Sequence, residues 1–187
     1  MAEKSFDDIV VFDTETTGLD GPSPTKIESQ PYIIEFYGVR LTKDFKFVNE
    51  VESLIKPPIP ISEEITKITG IDDEKVKDSP TFIEVYDDIH NLFHGCKYVV
   101  GHNVGFDLRL LKYDLFRYDL EFKFPWPKNH ICTIEASYHY ENKRQRLQQL
   151  HVLLFGNEFT EAHRAKNDVE ATTRCFMELV KRGDITL

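Results

Sequence analysis

The stretch Ile9-Val10-Val11-Phe12-Asp13-Thr14-Glu15-Thr16-Thr17-Gly18-Leu19 constrains everything else in the chain. Four apolar residues in a row, mostly β-branched, predict a strand buried on both faces. Side chains alternate along a strand, so Asp13 and Glu15 share one face. A core strand therefore delivers two carboxylates side by side, and Thr16-Thr17-Gly18 breaks it in a tight turn. Like charges this close in a partly dry site raise each other's pKa, and a divalent cation relieves them. A lone DxE is weak evidence, and more often marks a strand running out into a solvated acidic turn. The rest of the chain decides between the two.

The 187 residues suit one domain, taken as a single unit over 1–187. Asp20-Gly21-Pro22-Ser23-Pro24 is a loop by composition, and the connection as far as Pro31 is long for a simple turn. Tyr32 to Leu41 and Phe45 to Val51 read as a strand pair joined by a short polar hairpin. Ser62 is placed to cap a short helix with Ile61, Ile65 and Ile68 at helical spacing, stopped by Gly70. Ser79-Pro80 opens a second helix with an apolar stripe of Phe82, Val85, Ile89, Leu92 and Phe93. A short strand at Tyr98-Val99-Val100 leads through Gly101-His102-Asn103 into a helix with Leu108, Leu111 and Leu115 inward. His130 to Tyr140, Leu147 to Leu154 and about His163 to Lys181 are expected to be helices. Strands first, then helices interleaved with short strands, predict an α/β chain with a mixed sheet covered on both faces.

Two further acids sit on stripes that ought to be buried. Asp107 shares a helix face with Leu111 and Leu115, and Asp168 shares one with Thr172, Cys175, Phe176 and Leu179. Each taken singly is matched by a structural alternative, an ion pair with Arg109 or Arg164. Together with Asp13 and Glu15 they make four convergent carboxylates, a donor set suited to magnesium or manganese better than zinc. His163, five residues before Asp168, is placed to take a proton from an attacking water.

Three segments, VFDTETTGL at 11–19, GHNVGFDLRLL at 101–111 and HRAKND at 163–168, resemble the ordered motifs of the DEDDh (DnaQ-like) 3′→5′ exonucleases. The likeness is strongest to proofreading epsilon subunits of bacterial DNA polymerase III and their free-standing relatives. All five signature residues are present: Asp13, Glu15, Asp107, His163 and Asp168. The resemblance implies a ribonuclease H-like fold with a five-stranded mixed sheet, two divalent cations (Mg2+, with Mn2+ able to substitute) and release of 5′-mononucleotides. It implies that Asp13 bridges both ions, that Glu15 and Asp168 complete the first site, that Asp107 serves the second, and that His163 activates water. Thr14, Thr16, Thr17 and Gly18 offer hydroxyls and backbone to a terminal 3′-hydroxyl. Ile65 and Ile68 are placed to meet the last bases or to pack their own helix. His102, Asn103 and Phe106 are placed to meet the next nucleotide, Phe106 by stacking or as core filling. Lys143, Arg144 and Arg146 offer phosphate contacts or form a solvated basic link.

Composition narrows the partners. A net charge of −9 argues against a protein that coats duplex by charge alone, so a nucleic acid is gripped locally, at single-stranded or frayed 3′ ends of DNA. RNA is the alternative substrate, although oligoribonuclease-like members usually carry Met where Thr16 stands. A non-catalytic end-binding domain is the alternative of a different class, and the complete signature speaks against it. Three scattered cysteines, Cys96, Cys132 and Cys175, predict reduced thiols and a cytoplasmic setting. The N-terminus lacks a hydrophobic signal core and no run spans a membrane. The chain ends soon after its last helix, so a C-terminal tail tethering it to a polymerase is not expected.

Overall fold

The computed structural model describes residues 7–19, 26–159 and 164–187. Its sheet contains β1 (Asp8–Thr16), β2 (Ile33–Leu41), β3 (Phe47–Leu54), β4 (Cys96–Gly101) and β5 (Asn129–Cys132). The five strands lie in the order β3-β2-β1-β4-β5. β2 runs antiparallel to β1 and β3, while β4 is parallel to β1 and β5 parallel to β4. The expected mixed five-stranded sheet flanked by helices is therefore the observed one. β1 is central, which is why Ile9 to Phe12 read as buried on both faces.

The helices are α1 (Glu63–Thr69), α2 (Asp73–Val76), α3 (Phe82–Phe93), α4 (Val104–Arg117), α5 (Thr133–Ser137), α6 (Leu147–Phe155) and α7 (Ala165–Arg182). Val10 and Phe12 pack into one layer with α3 and α4, through Ile89, Leu92, Phe93, Leu108, Leu111 and Leu115. Ile9 and Val11 pack into the other with α6 and α7, through Leu150, Val169, Cys175, Phe176 and Leu179. The strand alternation that places Asp13 and Glu15 on one face thus points them toward α7, and points Thr14 toward α4.

Local chemistry sets most boundaries. Ser62 accepts a bond from the Ile65 N–H, and Gly70 ends α1 at φ 69°, a backbone angle that disfavours a Cβ. The cap of α3 is Thr81, two residues beyond the Ser79 expected to open that helix; its N–H and hydroxyl both donate to Glu84. The helix expected from His130 to Tyr140 is corrected: Asn129–Cys132 is the edge strand β5, and only Thr133–Ser137 is α-helical. The last helix begins at Ala165, with Arg164 at its N-cap position. Residues 20–25 of the long loop, and His163, lie outside the described residues. The remainder of that loop is held by Arg117, which donates to the Ile27, Gln30 and Pro31 carbonyls and pairs with the buried Asp114. Among the described residues no helix is long and apolar enough to cross a membrane.

Candidate active site

The three acids that meet at the end of β1 come from two elements. β1 supplies Asp13 and Glu15, and α7 supplies Asp168 one turn after its start. One carboxylate oxygen from each lies within 4.8 Å of the other two. Burial holds the Asp13 carboxyl well above its ordinary range, and the charges of Asp107, Asp168, Glu15 and Glu35 add to the effect. Glu15 is pushed up to about 8, by burial first and then by Asp168, Glu35 and Asp107, with Arg164 acting in the opposite sense. Three carboxylate oxygens gathered this closely fit a hard divalent cation.

Asp107 arrives from the opposite side of the sheet. Thr14 faces α4, and both its backbone N–H and its hydroxyl donate to Asp107 Oδ1, at 3.1 and 2.8 Å. Asp107 is 3% exposed. Burial raises its pKa to about 7 against the lowering influence of the Thr14 bonds. Asp107 stands outside the tight group of three, is held by Thr14 of β1, and acts on Asp13 through its charge. Of the two arginines named as alternatives, Arg164 places its guanidinium on Glu35 of β2. Glu35 escaped the reading of the sequence, and its signal was a charge inside the apolar run Ile33-Ile34-Glu35-Phe36-Tyr37.

The turn between β4 and α4 sets the height of Asp107. Asn103 adopts the left-handed conformation at φ 74°, one of the few positive-φ positions without glycine, and its Oδ1 accepts from Arg144. His102 is wedged below it, with Nδ1 2.9 Å from Thr133 Oγ1 and Nε2 3.0 Å from the Gln145 carbonyl. Burial pushes its pKa down to about 4, so the ring is neutral. A carbonyl can only accept, so Nε2 carries the hydrogen and Nδ1 accepts from Thr133. Both nitrogens of His102 are thus spent inside the protein.

Beside the acids runs a cleft of about 490 Å³ lined by Thr14 to Leu19, by Ser62, Glu64, Ile65, Ile68 and Thr69, and by Phe106. It gathers the expected contact residues Thr14, Thr16, Thr17, Gly18, Ile65 and Phe106 in one place. Thr16 donates its hydroxyl to the Gly18 carbonyl at 2.6 Å. Thr17 accepts from the Tyr32 N–H at 3.0 Å, which leaves its own hydroxyl hydrogen for a ligand. Leu19 and Ile68 are exposed apolar side chains on its walls, at 84% and 51%. Phe106 is half-buried, with the core of the α3–α4 layer behind it, so it both lines the cleft and packs. Lys143 pairs with Glu141 at 2.8 Å.

The geometry defines a carboxylate cluster beside a cleft on a five-stranded mixed sheet. Residues 10–176 match the exonuclease (RNase T) family, and the chain belongs to it. Among curated relatives, the DNA polymerase III PolC-type protein of Caldanaerobacter subterraneus subsp. tengcongensis is 34% identical over 177 residues, 94% of this chain and 12% of that protein. The 3′-5′ exonuclease DinG of Staphylococcus epidermidis is 27% identical over 176 residues, 92% of this chain and 18% of that protein. The chain thus spans less than a fifth of either relative. In fold it is similar to the nuclease domain of 3′hExo, a DEDDh family member bound to rAMP, with TM-score 0.74, 20% identity and coverage of 97% and 96% of the two chains.

Proposed function

We propose that this chain is a divalent-metal-dependent 3′→5′ exonuclease that removes 5′-mononucleotides from single-stranded or frayed DNA 3′ ends. The observation that carries the reading is the convergence of Asp13, Glu15 and Asp168 oxygens within 4.8 Å, at the mouth of a cleft with apolar walls. Asp13, Glu15 and Asp168 would hold one cation, with Asp13 shared and Asp107 supporting the other. Bound there, Mg2+ or Mn2+ supplies charge stabilisation to both the attacking and the leaving oxygen of an in-line displacement. Family membership and a DEDDh-like fold support the assignment.

The protein's own groups do the rest. Asp107, locked by Thr14, holds its carboxyl at a fixed height where it would support the second cation. The Thr17 hydroxyl and the backbone of Thr16 and Gly18 hold the terminal 3′-hydroxyl. Ile65 and Phe106 cover the terminal bases, a grip that requires an unpaired end. His102 and Asn103 set the β4–α4 turn under the penultimate nucleotide. His163, carried just before α7, accepts the proton of the attacking water. Matched labelled DNA and RNA oligomers, incubated with magnesium and with chelator, test the reading. DNA shortening in magnesium and none in chelator is the expected result; unchanged turnover in excess chelator overturns it, and faster loss of the RNA reassigns the substrate.

A further inference from the structure

Glu35 lies directly opposite Glu15 in the β1–β2 ladder, so the two side chains leave the same face of the sheet. Glu35 is 4% exposed. Arg164 Nε stands 3.2 Å from both of its oxygens, and Nη2 2.6 Å from Oε1. The Ala165 N–H donates to Oε2 at 3.0 Å. Ala165 is the first residue of α7, and the N-cap residue Arg164 makes no side-chain cap of its own. A carboxylate from β2 thus satisfies one of the orphan N–H groups at the start of α7. One residue on, Lys166 reaches Glu52 of β3 at 2.7 Å. The Asp168 N–H then closes the first helical bond, onto the Arg164 carbonyl at 3.0 Å.

We propose that Glu35 and Arg164 are a positioning pair for the metal centre. The forked, charge-assisted contact fixes the first turn of α7 against the sheet, and with it the Asp168 carboxylate that must meet Asp13 and Glu15. It also occupies Glu35, so that a fifth carboxylate beside Glu15 is withheld from the cation. The inference rests on the exonuclease reading for its kinetic consequence, but not for its metal consequence. Two other roles for Arg164 make different predictions. A purely electrostatic influence gives opposite signs when its charge or that of Glu35 is removed. A direct phosphate contact acts on substrate binding and leaves the metal alone.

The test is Mn2+ binding to the full chain by electron paramagnetic resonance, alongside kcat and KM on a single-stranded DNA, for Glu35→Gln, Arg164→Ala, Arg164→Lys and the Glu35→Gln/Arg164→Ala double variant. Removal of either partner should weaken Mn2+ and lower kcat by about 10- to 100-fold, the usual cost of a lost outer partner of a metal ligand. KM should move by less than about threefold, since no substrate contact is removed. The double variant should be no worse than the poorer single one, because both break the same anchor. Arg164→Lys keeps the charge without the fork and should recover part of the loss; it carries the test if Arg164→Ala fails to fold. Tighter Mn2+ binding in Arg164→Ala with weaker binding in Glu35→Gln overturns the proposal, as does a KM effect in Arg164→Ala with normal Mn2+ affinity. If the wild type binds Mn2+ yet degrades no DNA, the exonuclease reading fails, and the metal arm still decides the pair.

Discussion

Asp13 occupies a position that costs the metal-free fold stability. Burial disfavours its charge, and Asp107, Asp168, Glu15 and Glu35 crowd its carboxylate. Asp13→Ala should abolish turnover while leaving the melting temperature in chelator unchanged, or about 2–4 °C higher for each kcal/mol of repulsion relieved. A large drop in chelator would make Asp13 structural. The same crowding gives a signed pH dependence. Native Glu15 keeps its proton up to about pH 8 and Asp107 up to about 7, against ordinary values of 4.5 and 3.8. Between those limits the native state binds more protons than the unfolded chain, so stability falls as pH rises. The buried His102, lowered from 6.5 to about 4, works in the opposite sense but only below its unfolded value. Urea midpoints in chelator should therefore decline from about pH 6.5 to about 8.5, and excess magnesium should abolish the decline. A midpoint that rises over this window without metal contradicts the burial of these acids. For His163, replacement by Ala should slow turnover by roughly 10²–10⁴-fold with Mn2+ binding retained; near-normal turnover demotes it.

The elements matter because two helices bring their acids to opposite faces of one strand. α4 depends on the close turn after β4: a Cβ on Gly101 would stand 3.1 Å from Val104 Cβ and 3.2 Å from Val104 Cα. Gly101→Ala must displace the first turn of α4, at a cost of about 1–3 kcal/mol, and Asp107 with it. Thermal melts and kcat should fall together, and an unchanged melting curve would show that the turn has slack. Most of this framework was legible in the sequence, because β1, β2, α3, α4 and α7 are long enough for their period to show. β5 was not. Asn129–Cys132 has four residues, too few to display alternation, and it is a strand only because β4 pairs with it. The four-residue α2 escaped for the same reason. In the site, the carboxylates were legible because acids on apolar stripes are anomalous. The division into three acids and Asp107 was implied by the motif resemblance alone; its physical basis, which sheet face each helix covers, was not legible. Glu35 was hidden because its partner lies 129 residues away.

At the scale of the whole molecule, a net charge of −9 gives little general attraction to phosphates. On the proposed function, affinity comes from terminal nucleotides held in the cleft at the end of β1. The salt dependence of KM should accordingly be shallow, with a slope equivalent to about 2–4 phosphate contacts, where an extended basic track gives a steeper one. A steep slope would point to a binding surface beyond the cleft. In the proposed reaction, the acids of β1, α4 and α7 act on a strand end that enters this cleft 3′ first. The most direct test is a time course on 5′-labelled single-stranded DNA in magnesium, comparing a free 3′ end, a blocked 3′ end and a covalently closed circle. The free 3′ end should give a ladder shortening one nucleotide at a time, with the blocked strand and the circle intact. Cleavage of the circle, or equal loss of the blocked strand, would contradict it.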